Sequence, residues 1–291
     1  MWAGEQESPV YRLVEPSSGK REVMTVKAST GKVRPFVVCA ILRDVTFTTE
    51  RYESFIDLQD QLHRNLCRNR TLVAVGTHDY DTLQGPFEYH GKEPTSIDFV
   101  PLTETERSFN AKELLEHYNT APSCKHLKPY TSIISEEPLY PVIYDQTGQV
   151  LSLPPIINGR HSRIQMHTKN VFIECTATDL TKANIVLDTV VAMFSEHCAV
   201  PFTVEPVDVL YEADGSIETT PALFTRTETA KVEFINSLIG IECPAERMVD
   251  LANKMQLGPA ELLDDGKTLK VSSNAAPSHL CSRRLTITSE R

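Results

Sequence analysis

Two rhythms of apolar and polar positions alternate along this chain, and each change of rhythm marks an element. Phe36-Val37-Val38-Cys39-Ala40-Ile41-Leu42 is an unbroken apolar run, too short for a lone helix and rich in β-branched residues, which predicts a strand buried on both faces. Thr48 or Thr49 then offers a hydroxyl N-cap, and Tyr52, Phe55, Ile56, Leu58, Leu62 and Leu66 recur at three- and four-residue steps, predicting a helix to about Leu66. From 71 to 103 the text breaks into short apolar segments (72–75, 87–89, 97–100) between Gly and Pro, a meander of strands. Asn110 caps a short helix over 111–118. Strands follow at 140–144, 150–153, 164–167 and 171–175, with a turn at 145–148. Asp179 opens the most apolar helix of the chain, whose Ala183, Val186, Leu187, Val190, Val191 and Phe194 cover more than one face and so require burial against a sheet. One or two strands over 202–211 complete the unit.

These patterns predict an α+β fold: a mixed-sheet domain with packed helices over 35–222, preceded by a remnant or connector at 1–34 holding a strand or two. A small unit at 223–273 follows, resembling part of a helix-turn-helix module. In it the helix over 246–256 starts behind Pro244 and ends at Gly258, one further helical turn covers 259–263, and a strand covers 269–271. Residues 274–291 show no apolar period and are expected to be untethered.

Composition narrows the setting. No apolar run approaches the ~18 residues that cross a bilayer, so no membrane role is expected. The 29 basic and 39 acidic residues give a net charge of −10, which confines any nucleic-acid contact to a local patch. The seven cysteines include no C-x-x-C pair, which fits a reducing compartment rather than a disulfide framework, and with no targeting text at the start the expected location is the cytoplasm.

Familiar chemistry is mostly ruled out. Gly85 to Gly91-Lys92 and Gly266-Lys267-Thr268 both miss the phosphate-loop spacing. His78-Asp79-Tyr80-Asp81 reads as a turn in which aspartates bond nearby amides, in preference to a metal site. His161 and His167, six residues apart on an extended strand, stand nearly ~20 Å apart, too far for one metal. No metal site is therefore expected. Two segments stand out. Leu151-Ser152-Leu153-Pro154-Pro155-Ile156-Ile157-Asn158-Gly159 builds a stiff wall and then a tight reversal. In Phe172-Ile173-Glu174-Cys175-Thr176-Ala177-Thr178-Asp179, Glu174, Thr176 and Thr178 alternate onto one strand face, either a solvated face closed by an N-cap or the polar lining of a site.

At these residues, and at Arg34-Pro35-Phe36, Arg51-Tyr52-Glu53-Ser54-Phe55-Ile56, Gly76-Thr77-His78-Asp79 and Leu139-Tyr140-Pro141-Val142-Ile143-Tyr144-Asp145, the sequence closely resembles the β subunit of archaeal and eukaryotic cytosolic phenylalanine–tRNA ligase, over roughly 8–272. The resemblance implies the editing module of that enzyme, which hydrolyses tyrosine mischarged on phenylalanine tRNA. It places Glu174 on the phenolic hydroxyl, Thr176 and Thr178 on the substrate amine or a water, and Ser152 on the carbonyl or ribose side. Asn158, Gly159 and His161 would form the adjoining wall, and Arg160, Arg163 and Lys169 would meet tRNA phosphates. It further implies a ligase α subunit as partner in an α2β2 heterotetramer, with ATP and Mg used by the complete ligase and no cofactor in this chain. Non-enzymatic tRNA docking and a freestanding hydrolase of the same fold remain the alternatives. Arg160 and Ala177 depart from the family pattern, as does the text beyond about Ser273, which is expected to reflect a truncated or misread coding region.

Overall fold

The computed structural model describes residues 9–223, 226–255 and 257–273, so the expectation for 274–291 lies outside the described residues. The chain divides into two units, Arg12–Ala222 and a second that, among the described residues, takes in 9–11 and those from Leu223 to Ser273.

In chain order the first unit comprises β1 (Arg12–Leu13), β2 (Glu22–Val26), β3 (Phe36–Leu42), α1 (Thr49–Arg64), β4 (Val73–Asp79), β5 (Phe87–Lys92), β6 (Asp98–Phe99), β7 (Phe109–Asn110), α2 (Ala111–Thr120), α3 (Lys128–Thr131), β8 (Tyr140–Tyr144), β9 (Val150–Leu153), β10 (Ile157–Asn158), β11 (Val171–Ala177), α4 (Leu180–Phe194), β12 (Thr203–Tyr211) and β13 (Ile217–Thr220). Eleven of these strands make one mixed sheet in the order β10-β9-β8-β5-β2-β12-β3-β11-β4, with β1 and β13 both on β12. β2 runs parallel to β5 and β12, so the stretch read as a connector supplies an interior strand. The α+β reading of the fold holds.

β3 and β11 read as unbroken apolar or buried text because both their faces are covered. α4 packs on one side, while Val37, Cys39 and Phe172 join Met24, Phe87 and Tyr89 in a core on the other. Each such side chain contributes roughly 1.5–3 kcal/mol on burial. The hydroxyl and carboxyl caps form as the sequence predicts: Thr48 Oγ1 accepts from the Arg51 amide at 3.3 Å, Asn110 Oδ1 from that of Glu113 at 2.9 Å, and Asp179 Oδ1 from that of Lys182 at 2.9 Å. α1 is pinned to α4 by the edge-on contact of Phe55 with Phe194, ring centroids 4.5 Å apart.

The sheet curls until its two ends meet. Asn158 Nδ2 on β10 donates to the Thr77 carbonyl on β4 at 3.2 Å, joining the first and last strands of the order. That closure brings β9 over β11 and creates the enclosed space described below.

The expected strand at 164–167 does not form. Local bonds replace the ladder there: the Gln165 amide donates to Thr168 Oγ1 at 2.9 Å and the Thr168 amide to the Gln165 carbonyl at 3.0 Å, while Thr168 Oγ1 donates across the chain to Asp79 Oδ2 at 2.7 Å. Of the turn expected for 78–81, His78 and Asp79 belong instead to β4, and the turn begins at Tyr80, where Asp79 Oδ1 accepts from the Asp81 amide at 3.2 Å.

In the second unit β14 (Arg226–Lys231), α5 (Val232–Ile239), α6 (Ala245–Lys254), β15 (Ala260–Leu263) and β16 (Thr268–Ser273) form two short helices with an antiparallel sheet in the order β14-β16-β15. Gly240, at φ 74°, ends α5 in the left-handed conformation. The extra helical turn expected over 259–263 is instead β15. Its Leu262 pairs with Leu269 across a hairpin whose Asp264, Asp265 and Gly266 all have positive φ, and cross-strand pairing outweighs the weak helical preference of so short a segment.

Candidate functional site

β11 lies between β3 and β4, and Glu174 stands opposite Cys39 on one side and Gly76 on the other. The face it occupies is covered by β9, and Glu174 is 2% exposed. Its Oε1 accepts a hydrogen bond from Ser152 Oγ on β9 at 2.9 Å, whereas Oε2 has no partner. Room for the side chain exists because residue 76 is glycine: a Cβ there would lie 2.0 Å from Oε1. An unpaired buried carboxylate oxygen is costly, so a group this poorly satisfied is retained for what it meets.

What it meets is a cavity of about 110 Å³. Pro154, Pro155, Ile156 and Ile157 form its apolar wall, Glu174 and Ser152 its polar end, and Gly76 and Val75 its floor. A single water needs only about 10–15 Å³ of such space, so the cavity admits a small organic group. The wall is braced from behind: Arg70 Nη1 donates to the Pro155 and Ile156 carbonyls at 3.3 and 2.9 Å, and its guanidinium stacks 4.3 Å from the centre of the Tyr130 ring. Arg70 has φ 66°, the last of three consecutive left-handed residues after Arg68 and Asn69. This strained loop is clamped by the fully buried Arg34, which donates to the carbonyls of Arg70, Thr71, Leu72 and Thr176.

His63 on α1 also lines the cavity. The Val75 amide donates to its Nε2 at 2.9 Å, which leaves Nδ1 to carry the proton, and Nδ1 has no partner. Burial, reinforced by the nearby Arg70 charge, pushes its pKa down to about 3, so the ring is neutral. Burial likewise drives the Cys39 and Cys175 thiols up, and the Glu174 charge adds to both shifts, so neither serves as a thiolate.

Three of the cavity's lining groups, Gln59, Leu102 and Asn158, also line an outer hollow of about 740 Å³. Gln59 bridges β4, donating to the Val75 carbonyl at 2.9 Å and accepting from Thr77 Oγ1 at 3.2 Å. Tyr52, Arg163, Met166 and His167 surround the hollow.

Of the residues singled out by sequence, Glu174, Ser152 and Asn158 come together around the inner cavity. Thr176 shares the Glu174 face and is fully buried with its hydroxyl unpartnered, but it does not line the cavity. Thr178 lies past the end of β11, exposed, its amide donating to the Leu72 carbonyl at 3.0 Å. Gly159 touches the wall from outside, since a Cβ on it would come within 2.4 Å of the Val150 carbonyl. His161 is half-buried with Nε2 unpartnered, and burial lowers its pKa. Arg160 Nη1 donates to the Glu104 carbonyl at 2.7 Å; Arg163 is exposed on the outer hollow; Lys169 is exposed elsewhere on the same loop. Arg34, Gln59, His63, Arg70 and Gly76 were not anticipated, and only the Arg34-Pro35 and Gly76-Thr77 text hinted at two of them.

Residues 41–199 match the B3/4 domain family. Over 271 residues the chain is 52% identical to the phenylalanine–tRNA ligase β subunit of Drosophila melanogaster, covering 93% of this chain and 44% of that protein. Over 264 residues it is 49% identical to the corresponding subunit of Homo sapiens, covering 91% of this chain and 44% of that one. The chain thus spans less than half the length of these curated relatives. Among solved structures, an N-terminal fragment of the phenylalanyl-tRNA synthetase β subunit from Pyrococcus horikoshii superposes with a TM-score of 0.79 at 26% identity, covering 91% of this chain and 71% of that one. A closed mixed sheet, a matched segment longer than half the chain and that superposition agree: the chain belongs to the B3/4 domain family, in the form carried by phenylalanine–tRNA ligase β subunits.

Proposed function

We propose that this chain is an editing module that hydrolyses tyrosine mischarged on phenylalanine tRNA, working beside a ligase α subunit that carries out the ATP- and Mg-dependent charging. The observation that carries the reading is the buried, unpartnered Glu174 Oε2 on a residue that lines a cavity with an apolar proline wall. An apolar pocket separates phenylalanine from its hydroxylated analogue by only ~100-fold, so translation needs a second site with the opposite preference. A buried acceptor supplies it. A phenolic hydroxyl pairs with Oε2, while a bare phenyl ring leaves that oxygen unsatisfied at a cost of about 1–3 kcal/mol.

In this reading Ser152 holds the other carboxylate oxygen, the proline wall clasps the ring, and the outer hollow receives the ester and the terminal nucleotide. Arg163 at its rim meets phosphate. Hydrolysis of an already activated ester requires a positioned water and donors facing the developing oxyanion rather than a nucleophile triad. Assembly with the α subunit as an α2β2 heterotetramer in the cytoplasm belongs to the same proposal. Deacylation of tyrosyl-tRNA by the chain, lost in Glu174→Ala, is the expected result. Binding of that tRNA without hydrolysis would leave a docking module instead.

A further inference from the structure

Glu174 has a second buried neighbour. His78 on β4 is fully buried, and so is Ser162; the His78 Nδ1 and Ser162 Oγ are 2.8 Å apart, while His78 Nε2 has no hydrogen-bond partner and stands 3.8 Å from Glu174 Oε1. The register explains the approach. Phe172 pairs with His78 and Glu174 with Gly76, so His78 and Glu174 are diagonal neighbours on one sheet face, with glycine leaving the lane between them open. The Phe172 ring lies 6.2 Å from the imidazole, and His161 is close enough for His78 to add to the lowering of its pKa that burial causes.

We propose that His78, paired with Ser162 and carrying its ring proton on Nε2, is a positioning residue that steadies Glu174 Oε1 and so presents Oε2 to the substrate hydroxyl. The acceptor-only carboxylate favours the ring proton on Nε2, facing it, and the Ser162 hydroxyl, able to donate or accept, then donates to Nδ1. Oε1 then accepts from Ser152 and faces the His78 N–H across 3.8 Å, an electrostatic contact longer than a hydrogen bond, and both favour the orientation that leaves Oε2 toward the cavity. This deepens the editing reading and rests on it for its consequence, but the tautomer and its dependence on Glu174 stand apart from any activity.

The test uses the full chain, with ¹⁵N-histidine NMR to read the ring and calorimetry with tyrosinamide and phenylalaninamide to read selectivity. The expected result is an Nε2–H tautomer for His78 whose signal moves in Glu174→Ala and which mixes with the Nδ1–H form in Ser162→Ala. His78→Phe, which keeps the ring contact and loses the donor, should lower the tyrosinamide preference at least about tenfold, and His78→Gln, which restores a donor, should recover most of it. If His78→Phe does not fold, Ser162→Ala carries the same direction of change. An Nδ1–H tautomer in the parent chain, or an unchanged preference in folded His78→Phe, overturns the proposal. If the parent chain binds neither amide, the editing reading fails, and the NMR response to Glu174→Ala still decides whether His78 addresses the carboxylate.

Discussion

Gly76 and Glu174 face each other across the β4–β11 ladder so closely that a single added carbon on Gly76 would occupy the place of the Glu174 carboxylate, 2.0 Å from Oε1. The glycine therefore serves the carboxylate rather than a turn. Gly76→Ala must push the Glu174 side chain off Ser152, because the strand backbones on both sides are fixed by their ladders. We expect folding to survive with a loss of about 1–3 kcal/mol and tyrosyl-tRNA deacylation to fall at least tenfold. Thermal melting and a deacylation time course check the two halves separately.

Glu174 itself represents a conflict between stability and selectivity. A carboxylate 2% exposed with one hydrogen bond is more expensive to bury than an amide of the same shape. Glu174→Gln should leave stability unchanged or raise it by about 1 kcal/mol, while the preference for tyrosine over phenylalanine collapses. A urea titration showing the variant clearly less stable would mean that the carboxylate is a structural anchor.

Much of this architecture was legible because it is local. The apolar run at 36–42, the three helix caps at Thr48, Asn110 and Asp179, and the double-proline wall each depend on neighbours a few residues away. The alternation that set Glu174 and Thr176 apart from Ile173 and Cys175 is also local. Sheet closure is not. Whether that face met water or a cavity depended on β9 and β10 folding back over β11 and β4, contacts across 22 residues for Ser152 with Glu174 and 81 for Asn158 with Thr77. β11 ends at Ala177, so Thr178, the next residue, emerges into solvent. The burial of Arg34 and Arg70 is likewise not local, since a guanidinium's carbonyl partners are visible only once the strands and loops that carry them are placed.

Arg70 offers a test of the wall. Its two bonds to the Pro155 and Ile156 carbonyls and its stacking on Tyr130 tie a strained loop to the cavity. Arg70→Met keeps the apolar stem and removes the fork, and we expect a loss of about 2–3 kcal/mol, since hydrogen bonds to a charged donor contribute most when buried. Crystals of the variant should show the Pro154–Pro155 segment displaced; an unmoved wall would show that the prolines hold themselves.

The ring of His63 gives the fold a pH dependence whose sign follows from its burial. In the unfolded chain an imidazole takes up a proton near pH 6.5, whereas in the folded chain burial and the Arg70 charge hold the His63 pKa down to about 3. Between those values the unfolded state binds the extra proton, so stability is fully present above about pH 6.5 and is lost as the pH falls. The slope approaches about 1.4 kcal/mol per pH unit, or about 2 kcal/mol by pH 5. Carboxylates contribute to acid destabilisation as well, and the comparison with His63→Gln removes them: the glutamine carbonyl can still accept from the Val75 amide but does not titrate. Urea unfolding of both chains from pH 8 to pH 5 should give a constant difference above about pH 7 and an increasing advantage for the variant below about pH 6.5. A difference that stays level across the whole range would show that the imidazole ionises freely in the folded protein, and the cavity wall beside it would then have to admit water.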